Sequence, residues 1–424
     1  MASNGLIESL RKTRKDYDEE VRWHRFLLDA AFGTGGFRGK IGATSISHLG
    51  WAAEAYTQIN SLNSEFVTLS GRLTYLDQFP REDAQKFERR IDVAHYTNYV
   101  GPIHDLLLSY VNKQDVTRAA MPERLEAWTL DVDGKGQPWS AFMRTTIRPR
   151  ASLLGWAPVL FDSPDFAGDE IMSVARQREL GLQTRAIPLF PVNILDMIAD
   201  DDGELLAVKI RTDHWVRDSL LAAPAKQERY SLWYRDRVER YQITTREGAA
   251  EFVESLGETP HGFGEVPLGV FRAKPTPEDR VRGISSIANS AVTARRLFNL
   301  ESETDDHLRG QVFAVMGVPV QDVRADIGEI IAGNSSALKI PMQSNMPIHF
   351  AAPPASVAAS LETRMEVLVR EIYRTENVEH TKSTGTTSSS GVARAYEFEQ
   401  TNRRLSGMAQ SLARDEERAL RLVA

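Results

Sequence analysis

Residues 392–423 contain no proline and a single glycine, Gly407, so nothing in the backbone interrupts a helix there. At about 1.5 Å of rise per residue that helix runs about 45 Å. Phe398, Leu405, Met408, Leu412 and Ala419 fall near one stripe of it. Upstream, Val357, Leu361, Met365, Leu368 and Ile372 recur at spacings of four, four, three and four, which puts them on one face of a second helix starting after Pro353-Pro354. Between the two lies a polar stretch, residues 376–391, Glu-Asn-Val-Glu-His-Thr-Lys-Ser-Thr-Gly-Thr-Thr-Ser-Ser-Ser-Gly. With no apolar anchor beyond Val378 it cannot bury itself in a core. Two readings stay open at this point: a flexible helix–helix connection, or a loop that projects into a channel.

A chain of 424 residues exceeds what one core usually serves, so two or three structural regions are expected. No apolar run approaches the ~18 residues needed to span a bilayer, and Met-Ala-Ser-Asn at the N-terminus lacks a basic-then-apolar signal. The expected setting is a cytosol-like compartment without a membrane. Cysteine is absent, which removes disulfides, thiolate nucleophiles and cysteine-based zinc sites. A formal net charge of −7 argues against a surface that grips nucleic acid through neutralised phosphates. It leaves room for a surface that DNA slides past.

Residues 4–31 read as a charged, solvated outer helix. Phe32 to Lys40 is glycine-rich and invites a phosphate-loop reading. That motif needs glycine five residues before Gly39 and Ser or Thr after Lys40; here those residues are Thr34 and Ile41, so a structural glycine turn is the plainer reading. Further helices are expected at 49–62 and from Arg81 onward, where Phe87, Ile91 and Ala94 mark an apolar face that Asn98 continues. Asn98 is read as a side chain satisfying backbone groups at the Gly101-Pro102 kink. Asp131-Val132-Asp133-Gly134 is a turn, since Lys135 and Phe142 stand where a calcium loop needs oxygen ligands. The helix from Trp139 to Leu154 must kink or end at Pro149, and a short strand, Trp156 to Phe161, follows Gly155.

From 185 to 273 the pattern changes to strands: 186–190, 193–198, 205–211, 229–234, 240–244 and 266–271. Asp200-Asp201-Asp202-Gly203 reads as a hairpin tip before it reads as a metal site. Thr276-Pro277-Glu278-Asp279 predicts a helix start, with the helix continuing to Met316 and stopped by Gly317-Val318-Pro319-Val320. A short helix at 322–332 and strands at 337–340 and 348–351 complete a small α/β unit. The fold class expected is α+β.

No hydrolase elbow, zinc-helix motif, dinucleotide fingerprint or phosphate loop is present. The nine histidines are scattered, with no two at helical spacing. The expectation is therefore no catalytic residue, no metal and no cofactor. An enzyme handling phosphate or nucleotide through Gly33–Lys40, or another virion scaffold or adaptor, stands as the alternative.

The order of features resembles the portal (head-to-tail connector) proteins of tailed bacteriophages. The resemblance rests on Tyr75-Leu76 with Phe87, Arg90, Ala94 and Asn98; on Asp131 to Gly134; and on Gly155 with Val159-Leu160-Phe161-Asp162. It continues through Pro191 to Asp196, Asp202 to Leu205, Asn289 within the Ile284–Phe298 helix, Gly317-Val318-Pro319 and Ser389-Ser390-Gly391-Val392-Ala393. It covers roughly residues 72–424 and departs at Met197, where such proteins often carry tryptophan.

The resemblance implies a portal-like fold with a helical wing and stem, a β-rich wing region and a small α/β clip. Residues 1–71 form an N-terminal helical extension, 72–275 the wing, 276–316 a stem helix, 317–352 the clip and 353–375 the returning stem helix. Residues 376–391 are the tunnel loop and 392–424 a long C-terminal wing helix with a crown short or absent. A ring of about twelve subunits is implied, closed by heterologous contacts. At the DNA channel the resemblance places His380, Thr381, Lys382, Ser383, Thr384, Thr386, Thr387, Ser388 and Ser389. At the clip it places Gln321, Arg324, Asp326, Glu329 and Asn334. The implied partners are the terminase large subunit, the major capsid protein, a neck or adaptor protein, and double-stranded DNA held without sequence specificity. The implied location is the capsid vertex of a virion assembled in host cytoplasm.

Overall fold

The computed structural model describes residues 2–38, 73–113, 116–163, 183–217, 220, 225–245, 251–277, 279–312, 315–320, 337–341, 349–351, 354–378 and 391–424. The helices expected at 49–62 and 322–332 lie outside the described residues. Helices and antiparallel sheets occupy separate stretches, which makes the fold α+β.

Helices α1 (Ala2–Arg11) and α2 (Tyr17–Phe32) replace the single outer helix expected over 4–31. Acidic Asp18, Glu19 and Glu20 open α2 and complement its dipole, and Gly33, at φ 61°, closes it by donating its N–H to Asp29 O. Far from being solvated, α2 buries Tyr17, Leu27, Leu28 and Ala30, and the Tyr17 hydroxyl donates to Val192 O at 2.6 Å. Its charges are divided: Asp18 and Glu19 face outward, whereas Asp29 is buried with the apolar residues.

Helix α3 (Ala84–Val93), capped by Asp83, gives way to irregular chain at 94–99 before α4 (Val100–Val111). Asn98 is thus off the helix rather than on its face. Its amide donates to Ala31 O at 2.7 Å and its carbonyl accepts the Gly101 N–H at 3.0 Å, the backbone-satisfying role expected of it. After α5 (Glu123–Trp128) come α6 (Trp139–Phe142), a π turn over Met143–Ile147 and α7 (Arg148–Leu154). The π turn, with Arg148 N–H bonded to Met143 O, sits just ahead of Pro149 and absorbs the ring and the missing donor that an α turn could not.

Strands β1 (Trp156–Asp162), β2 (Arg185–Pro188) and β8 (Leu268–Arg272) form an antiparallel sheet in the order β2-β1-β8. Strands β3 (Ile194–Ala199), β4 (Leu205–Val216), β5 (Ala225–Tyr234), β6 (Arg237–Thr245) and β7 (Phe252–Pro260) form an antiparallel meander. Strand β7 was not expected: it interrupts any apolar alternation with Glu254, Gly257 and Glu258 and leaves Phe252 and Leu256 exposed. The β3–β4 tip is the expected Asp-Gly turn, with Asp200 Oδ1 accepting the N–H groups of Asp202 and Glu204 and Gly203 at φ 77°.

Helix α8 (Ala288–Val312) begins twelve positions after Thr276. The capping signal at 276–279 is used locally instead. Asp279 Oδ1 accepts the N–H groups of Val281 and Arg282 at 2.9 and 2.8 Å, Pro275 bridges Gly283, and Ser285 and Ser286 bond to the end of α7. The helix ends at Val312, short of Met316, and Val315–Val320 is strand β9, paired in parallel with β10 (Ala337–Pro341) and antiparallel with β11 (His349–Ala351). Helices α9 (Ala355–Thr375) and α10 (Gly391–Val423) follow.

Three cores result. The largest joins α1 and α2 to α4, α8 and α9 through Leu27, Val100, Ala291, Phe298 and Ile372. A second sets Met408, Leu412 and Ala419 of α10 against Trp139, Phe161 and Phe271. The third, with Trp156, Val208, Trp233 and Val238, fills the space between the β2-β1-β8 sheet and the five-stranded meander.

Candidate functional site

Helices α8 and α9 pack side by side and run in opposite directions, since Thr304 meets Met365 and His307 lies beside Pro354. The β9–β10–β11 sheet joins their far ends. At the near end α9 finishes in a left-handed turn at Asn377, φ 52°, with Val378 N–H on Tyr373 O at 3.0 Å and Asn377 N–H on Arg374 O at 3.1 Å. Asparagine tolerates that conformation better than most residues. Val378 packs against the main core, so the anchor seen in the sequence is used.

The chain then enters the loop from a buried base. Glu376 is 1 % exposed and pairs with Arg404 of α10, whose guanidinium also donates to Ser286 O and to Thr375 O. Thr401 donates to Asn377 O. One arginine therefore ties together the end of α9, helix α10 and the connector ahead of α8. No local pattern in the sequence announces this, because Glu376 and Arg404 lie 28 positions apart with the polar stretch between them.

The connector is itself held by charge. Arg282 bonds Asp279 and Asp16 and lies 3.5 Å from Glu20 of α2. Burial pushes the Asp279 carboxyl up, but the two backbone N–H groups and Arg282 outweigh it and hold it below the usual range. On α8, burial raises the half-buried Glu301 carboxyl, with Thr97 and His95 opposing.

The tunnel-loop residues His380, Thr381, Lys382, Ser383, Thr384, Thr386, Thr387, Ser388 and Ser389 lie outside the described residues. So do the clip residues Gln321, Arg324, Asp326, Glu329 and Asn334. What the structure places around them is the base formed by Glu376 and Arg404, and the sheet β9–β10–β11.

The glycine-rich turn is described as far as Arg38. It wraps a carboxylate of the chain's own: Asp29, fully buried, accepts the Thr34 hydroxyl at 2.9 Å and the Tyr75 hydroxyl at 2.7 Å. Gly35, at φ 53°, lies so close that a Cβ there would fall 2.1 Å from Asp29 Oδ2. Phe37 is buried among Phe26, Tyr75, Tyr96 and Phe298. Positive φ and this contact with Asp29 are the physical reason for glycine at position 35. Among the described residues no cluster of acidic and histidine side chains could hold a metal ion, and no helix is long and apolar enough to cross a membrane.

No protein-family model matches the chain, and no curated protein matches it.

Proposed function

We propose that this chain is one subunit of a portal-type ring at a single vertex of a tailed-bacteriophage capsid, the conduit through which double-stranded DNA is packaged and released. The observation that carries the reading is the α8/α9 hairpin. Its two helices enclose one apolar seam, yet Val292, Leu308, Val312, Val357 and Val367 on the same pair remain 39–76 % exposed. Apolar side chains left exposed on this hairpin are covered when neighbouring copies pack around an axis. The hairpin then acts as stem, the β9–β10–β11 sheet and residues 317–352 as clip, and the helices and sheets before 275 as wing.

In this reading residues 376–391 line the channel. Serine, threonine and glycine meet phosphate oxygens without reading bases, and Lys382, repeated around the ring, adds a thin basic collar to a chain of net charge −7. Such a collar steers DNA without trapping it. The clip, with Gln321, Arg324, Asp326, Glu329 and Asn334, docks the terminase large subunit during packaging and a neck or adaptor protein afterwards, and the wing meets the major capsid protein. The ring itself performs no chemistry; the packaging motor is a separate protein.

Native mass measurement of the purified chain tests the reading. A closed assembly of about twelve copies is expected. A species that stays monomeric across the accessible concentration range overturns it.

A further inference from the structure

Arg148 opens α7 at the end of the π turn and extends its guanidinium toward Asn112, just past the end of α4. The residue is 8 % exposed, and the guanidinium's one hydrogen bond among the described residues runs from Nη1 to a neutral acceptor, Asn112 Oδ1, at 2.7 Å. Its Nε and Nη2 have no partner among those residues, yet neither is sealed from solvent. A buried cation ordinarily has an anion against it, because leaving water is costly and only opposite charge offsets the loss.

The carboxylate that acts on Arg148, Glu416 of α10, is already engaged. Its Oε1 accepts from Arg118 Nε at 2.7 Å and from Trp139 Nε1 at 2.8 Å, and Arg118 Nη2 lies 2.6 Å from it. The adjoining carboxylates of α10 are taken too, Asp415 by Arg272 at 2.6 Å and Glu417 by Arg421 at 2.5 Å. Arg144, one turn before Arg148 on the same side of the helix, is exposed and makes no hydrogen bond or ion pair among the described residues. Like charges four positions apart repel. Burial lowers the Arg148 pKa; Glu416 opposes this, and Arg118 and Arg144 add to it. Three guanidinium groups therefore meet one carboxylate, which leaves an excess of two positive charges.

We propose that Arg144 and Arg148, with Arg118 beside them, bind a phosphate dianion, either free or as the terminal group of a monoester. Guanidinium forks meet phosphate oxygens two at a time, and the open Nε and Nη2 of Arg148 form such a fork. An excess of two positive charges matches a terminal phosphate, which carries about −1.5 to −2 at pH 7, better than a carboxylate or a phosphodiester with one charge each. The depth of Arg148 points the same way. A single tetrahedral group reaches it, whereas the backbone of a duplex meets only the exposed Arg144. None of these residues belongs to the α8/α9 hairpin or to the polar stretch, so the site stands or falls apart from the ring proposed above.

Isothermal titration calorimetry of the full chain near neutral pH, with ionic strength held constant by sodium chloride, tests this with inorganic phosphate, methyl phosphate and acetate. Inorganic phosphate or methyl phosphate should bind saturably, one per chain, and acetate should not. Arg144→Ala, at an exposed position, should lower that affinity at least tenfold while the circular dichroism spectrum stays that of the wild type. Arg144→Glu sets a carboxylate in the anion's place, so it should abolish binding and raise the melting temperature in phosphate-free buffer. Tighter binding of inorganic phosphate would support the free anion, and tighter binding of methyl phosphate the monoester. The proposal is overturned if neither phosphate binds above chloride, if acetate binds as tightly, or if both Arg144 variants keep wild-type affinity. A short DNA duplex that binds through Arg144 where neither small phosphate does would assign these arginines to a nucleic-acid backbone and overturn it too.

Discussion

Arg404, well inside α10, pairs with Glu376 at the start of the polar stretch, in an ion pair whose carboxylate is almost fully buried. Removing one member of such a pair leaves the other charge stranded, at a cost of about 3 kcal/mol. Arg404→Ala should therefore lower the melting temperature by several degrees and speed hydrogen exchange at 375–378, where the αL turn depends on it. Replacing both residues by leucine should restore most of the loss. Equal destabilisation in the single and double variants would contradict the pairing.

His24 sets a pH dependence. It is 3 % exposed, its Nε2 lies 3.1 Å from Leu154 O and its Nδ1 has no partner among the described residues. Burial lowers its pKa, although Glu20 pulls the other way; Arg14 and Arg282 nearby add to the lowering. Below about pH 6.5 the unfolded chain takes up a proton that the folded chain refuses, so this group's contribution falls as pH falls from about 7 to about 5, by at most about 2 kcal/mol. Glu301, whose pKa is raised by burial, works in the opposite sense, gaining stability as pH falls through its folded-state value. Melting temperatures of wild type and His24→Gln across that window separate the two. The variant should lose the acid-side decline, and an unchanged slope would contradict the assignment.

Gly155 and Gly283 touch through their backbones. A Cβ at Gly155, where φ is 93°, would stand 2.4 Å from Gly283 O, and one at Gly283 would stand 2.6 Å from Gly155 O. Neither carbonyl can retreat, because Gly155 O accepts the Ala273 N–H and Pro275 bridges Gly283. Gly155→Ala should cost about 3 kcal/mol through positive φ and backbone overlap together, read as lost soluble yield and a lower melting temperature.

Lys382 carries the collar proposed for the channel. Lys382→Glu should shorten the packaged genome or weaken its retention in particles assembled with the variant, and Lys382→Ala should do so to a smaller degree. Packaging and retention at wild-type values in both variants would remove the collar.

Local chemistry was legible where a residue's bonding partner lies nearby in the chain. Asp200 to Gly203 forms the turn its composition dictates, Asn98 satisfies Gly101 as expected, and the strands between 185 and 273 other than β7 fall close to their β-branched and aromatic runs. Where a tertiary partner competes, local signals mislead. Asp279 has the makings of a helix start, yet Arg282 is drawn to Asp16, just ahead of α2, and the helix begins only at Ala288. Gly317 and Pro319 read only as a helix stop, whereas strand β9 accommodates them between β10 and β11. Helix α2 reads as solvated because its charges are visible in sequence and its buried contacts, such as Tyr17 with Val192, are not. The base of the polar stretch, joining Glu376 to Arg404, had no sequence signal at all.

The proposed closed ring is built on the α8/α9 hairpin, and negative-stain electron microscopy of the purified chain is its sharpest test. Class averages should show a ring with a central hole, lost on Val292→Glu/Val312→Glu while the circular dichroism spectrum is retained. Monomers, or open filaments without a closed ring, would contradict it.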